Sequence, residues 1–183
     1  IHNHDLAVDG GGSKATYRFS VNYQDQQGVT LGTGLNRLTT RLNLDYFISD
    51  KLKLRADFSY AHGVTEGNYT ENGVIRNSTS IRSTAYRMMP NMSIYEYNDF
   101  GELTGNYFSP ISTPQGSFPN MYNPVAMAEL GIQKTINDRI NSKFSLQYNI
   151  LESLRYTLDL SLDVNSNKLK QMLPQEATGV SNT

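Results

Sequence analysis

Polar and apolar residues alternate along six stretches of the chain. In each stretch every second residue is mainly apolar, and those positions contain no Asp, Glu, Lys or Arg. Strict alternation predicts β-strands that have one apolar and one polar face. The predicted strands are His4–Val8, Lys14–Tyr23, Arg37–Tyr46, Leu52–Tyr60, Arg139–Tyr148 and Leu154–Val164.

The two faces of these strands differ in chemistry. The apolar face is expected to carry Leu42, Leu44, Phe58, Leu146, Leu158 and Leu160. The opposite face is expected to carry the charged residues, among them Arg18, Arg41, Asp45, Arg55, Asp57, Lys143 and Asp159. Such charges could include catalytic carboxylates, but pairing across neighbouring strands is the favoured interpretation. We expect no catalytic residue here and no enzymatic activity.

Strand length separates two kinds of β-protein that both show this alternation. A soluble sandwich has strands of about five or six residues. Most of the predicted strands run for about 9–11 residues, the length that a tilted strand needs to cross a bilayer. The pattern therefore favours an all-β fold: an antiparallel, up-and-down segment of a transmembrane β-barrel.

The connections between the strands are alternately short and long. Short ones are Gly10–Ser13, Ser49–Lys51 and Leu151–Ser153, and long ones are Gln24–Asn36 and the region of about 62–133. Outer-membrane barrels have short periplasmic turns and long extracellular loops. We therefore expect residues 62–133 to be one long extracellular loop, with a short helix within Thr79–Met89 that ends at Pro90.

Tyrosines lie near the ends of the predicted strands. This direction of the chain places Tyr23 and Tyr60 at the outer interface of a membrane, and Tyr46, Tyr148 and Tyr156 at the inner one. Aromatic girdles of this kind border the apolar band of membrane barrels. The alternative explanation is the general preference of Tyr for strands.

Six strands are too few to close a membrane barrel, since the smallest has about eight. Asn165–Thr183 has the polar composition of a further outer loop. We therefore expect residues 1–183 to be one part of a larger barrel.

Composition excludes several other classes of protein. The chain has no Cys, so disulfides, Cys-zinc sites and thiol catalysis are excluded within it. Its formal net charge of −1 gives no reason to expect a nucleic-acid partner. Gly10–Gly12 lacks the residues of a phosphate-binding loop, and His2 and His4 lack an evident third metal ligand. We expect no cofactor and no metal.

Three sequence motifs resemble the SusC/RagA type of TonB-linked outer-membrane protein. The first is NHDLAVDGGGSKATYRFSVNYQDQQGV at Asn3–Val29, and the second is NRLTTRLNLDYFISDKLKL at Asn36–Leu54. The third is YNPVA at Tyr122–Ala126, followed by the two strands within Asn137–Val164. Each motif is weak alone, but their order and spacing together are fairly specific.

The resemblance implies a barrel of about 22 strands, filled by a plug, in the outer membrane of a Gram-negative bacterium. It implies import of large nutrients, glycans or peptides, with energy from TonB and a SusD-like lipoprotein over the outer mouth. Plug, TonB-contacting segment and final strands are not found in this sequence, so TonB would act through a region that we do not find here. The remaining partners would be outer-membrane lipid and the substrate itself.

Aromatic residues are concentrated in the long predicted loop. The candidates for contact with a substrate or partner are Tyr95, Tyr97, Phe100, Tyr107, Phe108, Phe118 and Tyr122. Aromatic rings stack on sugars or peptide side chains when a rigid scaffold presents them. Alternatively, the rings form a small core of the loop or the contact with a capping protein.

Three functions remain open on the sequence alone. The leading hypothesis is a SusC-like import barrel. The alternatives are a soluble β-rich carbohydrate-binding module and an outer-membrane enzyme or adhesin. The substrate cannot be identified from these residues.

Overall fold

A computed structural model describes residues 1–69, 81–109 and 122–178 of the chain. These residues form eight strands and three helices. The strands are β1 (His2–Gly11), β2 (Ala15–Gln27), β3 (Gly34–Ser49), β4 (Leu52–Gly67), β5 (Tyr95–Tyr97), β6 (Leu103–Tyr107), β7 (Ile132–Leu151) and β8 (Leu154–Met172). The helices are α1 (Ile81–Arg87), α2 (Pro124–Leu130) and α3 (Gln175–Thr178).

Six strands form one sheet in the order β1-β2-β3-β4-β7-β8, and β5 pairs only with β6. Each strand of the large sheet lies beside the next strand in the chain, apart from the inserted β5–β6 pair. The up-and-down order predicted from the sequence is confirmed. The predicted pairing of β7 with β4, across the longest connection in the chain, is also confirmed.

The pairing of β1 with β2 shows how the faces are sorted. The two strands are antiparallel, with Leu6 opposite Val21 and Val8 opposite Phe19. Asp5 lies opposite Asn22, whose amide donates a hydrogen bond of 2.5 Å to the Asp5 carboxylate. Apolar residues therefore meet apolar residues, and polar residues meet polar ones, as the alternation predicts.

Polar contacts across the other strand pairs lie on the same predicted face. On β3 and β4, Asn43 donates to Asp57 (2.7 Å), and Asp45 pairs with Lys53 (3.1 Å) and Arg55 (2.9 Å). Arg139 on β7 and Asp163 on β8 form an ion pair of 2.6 Å. The prediction that polar-face charges pair between neighbouring strands is confirmed for these groups.

The strands extend further than the alternation predicts. Strand β8 reaches Met172, so the prediction that Asn165–Thr183 is an outer loop is wrong for its first part. The long connections are 28–33 and 68–131, rather than Gln24–Asn36 and about 62–133. The reason is that both faces carry polar residues beyond Tyr60 and Val164, so alternation ends although backbone pairing continues.

The short connections agree better with the sequence. They consist of residues 12–14, 50–51 and 152–153. The Gly12 N–H donates to the Ala15 carbonyl over 2.7 Å in the first of them. Connections of this length join only strands that are neighbours in the sheet.

The chain divides into two compact units. The sheet unit consists of residues 1–27, 35–65 and 135–168, and the loop unit of 28–34, 66–134 and 169–183. Every apolar side chain that is buried, among the described residues, belongs to the loop unit: Ile81, Ala126, Met127, Ala128 and Ala177. The sheet unit instead exposes large apolar side chains, including Leu158 at 41% and Leu160 at 59%.

Helix α1 lies within the predicted Thr79–Met89 helix, of which residues 79 and 80 are outside the described ranges. None of the helices in residues 1–69, 81–109 and 122–178 is long and apolar enough to cross a membrane.

Candidate functional site

The β5–β6 hairpin presents part of the predicted aromatic set. Its turn is shaped by Asn98, whose side-chain oxygen accepts from the backbone N–H of Phe100 (3.0 Å) and Glu102 (2.9 Å). Gly101 completes the turn at a φ of 77°, which glycine adopts without a Cβ penalty. The turn holds Phe100 outward, and its side chain is 90% exposed.

Tyr95 and Tyr97 lie on β5 and are exposed at 42% and 55%. The ring of Tyr95 lies 5.5 Å from that of Tyr107 on β6, with a tilt of 31°. This spacing is typical of a favourable aromatic pair. Tyr95, Tyr97 and Phe100 together are called the hairpin aromatics below.

The remaining predicted aromatics are placed differently. The Tyr107 hydroxyl donates to Glu129 of α2. Phe108 lines a small apolar cavity of about 80 Å³ with Met88, Met92 and Ile94. Tyr122 packs on the buried cluster of Ile81, Met127 and Ala128. Phe118 lies outside the described residues.

The structure therefore divides the aromatic set between the two explanations left open by the sequence. Phe108 lines an apolar cavity of the loop unit, Tyr122 packs on its buried cluster, and Tyr107 ties β6 to α2. The hairpin aromatics are available to a binding partner or substrate, and such contact stays a prediction.

Asn123 connects the hairpin to α2 and was not singled out by the sequence analysis. It is buried, with 5% exposure, and its amide donates to the carbonyls of Ile94 (2.8 Å) and Phe108 (3.1 Å). Its side-chain oxygen accepts from the N–H groups of Val125 and Ala126, which caps α2. The Asn-Pro sequence at 123–124 is a recognisable start of a helix.

Two titratable groups of the hairpin are shifted by their hydrogen bonds. Thr104 (2.8 Å) and Asn106 (3.2 Å) donate to the Glu96 carboxylate and lower the pKa of that exposed group. The hydrogen bond to Glu129 raises the pKa of Tyr107 to about 12, because it favours the protonated phenol. The hydrogen bonds of Glu96 join β5 to β6, and the hydrogen bond of Tyr107 joins β6 to α2.

The connection between β2 and β3 packs closely against α2. Gly32 has a φ of 71°, and a Cβ atom there would lie 2.7 Å from the carbonyl oxygen of Ala128. The Asn68 amide donates to the Leu31 carbonyl over 2.8 Å. Loop 28–33 is thus fixed against α2 and residue 68.

A metal-binding cluster of three or more His, Asp or Glu side chains does not occur in the part of the chain that is described. His2 and His4 both lie on β1, and Gly10–Gly12 lead into the β1–β2 turn.

Known proteins supply an independent comparison. No protein-family model matches the sequence. A TonB-dependent receptor of Formosa agariphila is 26% identical over 174 residues, covering 92% of this chain and 15% of the receptor. The TonB-dependent receptor SusC of Bacteroides thetaiotaomicron is 27% identical over 151 residues, covering 76% of the chain and 14% of SusC.

The fold matches solved structures of the RagAB peptide importer. The match to its closed-closed state has a TM-score of 0.62 at 21% identity and covers 91% of this chain and 18% of the other. The match to the open-open state has a TM-score of 0.63 at 20% identity, with the same coverage. The chain thus spans about 15% of the length of the curated relatives and about 18% of the solved chains. Over most of its length, this chain resembles in sequence and in fold one part of the SusC/RagA-type TonB-dependent receptors.

Proposed function

We propose that this chain forms part of the barrel wall of a SusC-like transporter that imports large nutrients across the outer membrane of a Gram-negative bacterium. The observation that carries the proposal is the uncovered apolar face of the six-stranded sheet. A sheet with large exposed apolar side chains, such as Leu158 and Leu160, needs an apolar surrounding. Bilayer lipid supplies that surrounding for a barrel.

The polar face supports the same assignment. Ion pairs such as Arg139–Asp163 and Lys53–Asp45 lie on the face opposite to the apolar side chains. In a barrel wall this face lines a wet interior, where charged side chains cost little. A soluble sandwich also has one apolar and one polar face on each sheet, but its strands are typically about five or six residues long. Strands β7 and β8 have 20 and 19 residues, which favours a barrel wall.

The comparisons support transport rather than catalysis. The relatives are named as receptors, and the structural neighbour is named as a peptide importer. We infer that the protein carrying this chain imports a glycan or a peptide and catalyses no reaction with these residues. Energy would come from TonB through a plug outside the described chain.

We expect the long loop of about 62–133 to be extracellular, so that the hairpin aromatics could contact either the substrate or a SusD-like lipoprotein. Two asparagines support this role: Asn98 fixes the turn of the hairpin, and Asn123 joins the ends of the hairpin to α2. Rings on a rigid scaffold lose little entropy on binding.

Fractionation and nutrient uptake test the proposal together. The protein carrying this chain should sediment with the outer membrane and resist extraction by high salt. Deletion of its gene should abolish growth on one glycan or peptide while growth on monosaccharides or amino acids continues. A protein that is found in the soluble fraction and still binds a glycan would instead be a soluble carbohydrate-binding module.

Variants of the hairpin test the proposed contact. Replacement of both Tyr97 and Phe100 by Ala should weaken nutrient uptake without changing the amount of protein in the membrane. The matched control is Tyr86→Ala on α1, an exposed tyrosine outside the hairpin with 84% exposure. Equal uptake by all three strains would remove the hairpin aromatics from the proposed function.

A further inference from the structure

Three neighbouring strands of the sheet unit carry titratable side chains close together near the long connection. The Asp138 carboxylate on β7 accepts a hydrogen bond from the Tyr60 hydroxyl (2.9 Å) and lies 2.7 Å from the Nδ1 atom of His62, both on β4. Lys168 on β8 is near enough to interact electrostatically with Asp138. We call His62, Asp138 and Lys168 the polar row.

The polar row lies on the apolar face of the sheet. Asp138 shares the face of Ile140 by strand alternation, whereas the adjacent Arg139 pairs with Asp163 on the polar face. The other two residues of the row also have even numbers, as do the apolar-face residues of β4 and β8. A carboxylate and an ammonium group therefore occur on the face that we expect to meet lipid.

The apolar face changes in character at the row. Its positions at 52–60 on β4, 140–148 on β7 and 154–164 on β8 contain no charged side chain in these described stretches. The stretch 154–164 rises by about 33 Å along the strand, which covers about 25 Å of bilayer at a tilt of about 40°. An uncharged band of the height that a membrane barrel needs thus ends where the row begins.

Depth in the bilayer decides whether such charges are tolerated. A charged side chain on the lipid face destabilises a barrel strongly at the middle of the bilayer and only slightly near its surface. Tyr60 directly precedes the row on this face, and its hydroxyl donates toward Asp138. Tyrosine suits a position with its ring in hydrocarbon and its hydroxyl among polar groups.

We propose that the polar row lies among the phosphate-bearing lipid headgroups of the outer leaflet, and that β4, β7 and β8 continue beyond it outside the hydrocarbon. The Lys168 ammonium complements headgroup phosphate, while Asp138 already has its partners on β4. This position explains why alternation ends beyond Tyr60 and Val164 although backbone pairing continues, since both faces there would meet a polar surrounding. The proposal rests on the barrel-wall assignment and adds the level of the membrane surface.

Two apolar residues beyond the row give the sharpest test. Val64 on β4 and Ile136 on β7 have even numbers, like Phe58 and Phe144 on the other side of the row. Hydropathy alone would place all four side chains in hydrocarbon. Each is replaced singly by Cys and spin-labelled in the intact protein in phosphatidylcholine vesicles. We expect oxygen to relax the labels at 58 and 144 most, and a water-soluble nickel complex to relax those at 64 and 136 most.

A nickel chelate attached to a lipid headgroup separates the headgroup layer from bulk water. It should relax the labels at 64 and 136 strongly and the labels at 58 and 144 weakly. Relaxation of the first two labels by dissolved nickel alone would place the row beyond the headgroups and would overturn the proposed contact.

Removal of the row tests whether it sets the membrane surface. Combining His62→Leu with Asp138→Leu extends the apolar band, so the label at 136 should shift from nickel toward oxygen relaxation. The matched control combines Arg139→Leu with Asp163→Leu, which removes an ion pair from the polar face and should leave that label unchanged. An equal shift in the two variants, or none in either, would contradict the role of the row.

The outcomes separate this proposal from the barrel-wall assignment. Oxygen relaxation at 64 and 136 as strong as at 58 and 144 would overturn the proposal, because the row would lie within hydrocarbon, and the barrel wall would stand. Weak relaxation of 64 and 136 by both reagents would also overturn it, because another protein surface would cover the row. Strong nickel relaxation at all four positions would contradict the barrel wall itself.

Discussion

Neighbouring residues on one strand face different surroundings, and β8 shows this clearly. Leu158 and Leu160 point to the exposed apolar face, at 41% and 59% exposure. Asp163, at an odd position of the same strand, pairs with Arg139 on the polar face. On β8, a side chain therefore faces the apolar side if its residue number is even and the polar side if it is odd.

Substitution at adjacent positions of β8 should give unequal costs. Replacing Leu158 by Arg should destabilise the protein by roughly 2–4 kcal/mol, the cost of a cation on the lipid face near the middle of a bilayer. Replacing Thr157 by Arg should cost far less, because that side chain points to the wet face. Folding titrations in lipid vesicles measure both values, and equal costs would contradict the assignment of the two faces.

The hydrogen bond between Tyr107 and Glu129 should be visible in a pH titration. The pKa of Tyr107, raised to about 12, lies above the ordinary value of 10.0, so the folded state favours the protonated phenol. The stabilisation is complete below the ordinary pKa of tyrosine and is lost as pH rises through about 12.

Glu129→Gln is the variant that tests this cause, because it removes the carboxylate and keeps the size of the side chain. Carbon NMR of labelled tyrosine should show the Tyr107 pKa moving down toward its ordinary range in this variant. An unchanged titration curve would show that Glu129 does not hold the Tyr107 proton.

The aromatic candidates illustrate how far the sequence predicts a site. Residue type and clustering identified the set, and Tyr97 and Phe100 do lie exposed on a hairpin. Tyr122 belongs to the same aromatic-rich region of the sequence but packs on a buried cluster. Tyrosine is suited both to a surface and to a core, so only the fold of the loop could separate them.

Among the elements, the six long strands were predicted in type and in order, and their ends were not. Alternation marks a strand only where its two faces meet different surroundings, as in Leu154–Val164. The continuation of β8 through Lys168 to Met172 is polar on most positions, so it carries no period of two. The short β5 and β6 strands are fixed by the Asn98 turn and were not predicted.

Loop 28–33 is a connecting element that packs closely on α2. Gly32→Ala and Gly101→Ala each place a Cβ at positive φ, which costs about 1–2 kcal/mol. At Gly32 the new atom would also lie 2.7 Å from the Ala128 carbonyl, whereas nothing lies within 4 Å at Gly101. We therefore expect Gly32→Ala to increase amide hydrogen exchange in α2 more than Gly101→Ala does.

The comparison of these two variants isolates the close approach, because the backbone strain is common to both. Equal exchange in α2 would show that loop 28–33 is not held against that helix. Greater exchange at the hairpin alone in Gly101→Ala is the expected pattern for the control.

At the scale of the whole molecule, we infer that one face of the sheet meets lipid and the other meets water. The apolar face carries large exposed side chains, and the polar face carries ion pairs. A β-barrel wall is the structure in which both faces are satisfied at once. The match to RagAB at a TM-score of 0.62 supports the same architecture.

Spin labels along β8 can distinguish a lipid-facing side of the strand from a water-facing side. The chain contains no cysteine, so Thr157→Cys, Leu158→Cys, Asp159→Cys and Leu160→Cys each introduce one attachment site within it. In the intact protein in lipid, labels at 158 and 160 should be relaxed mainly by oxygen, and labels at 157 and 159 mainly by a water-soluble nickel complex. Strong relaxation by the nickel complex at all positions would contradict the account, because β8 would then lie in water on both faces.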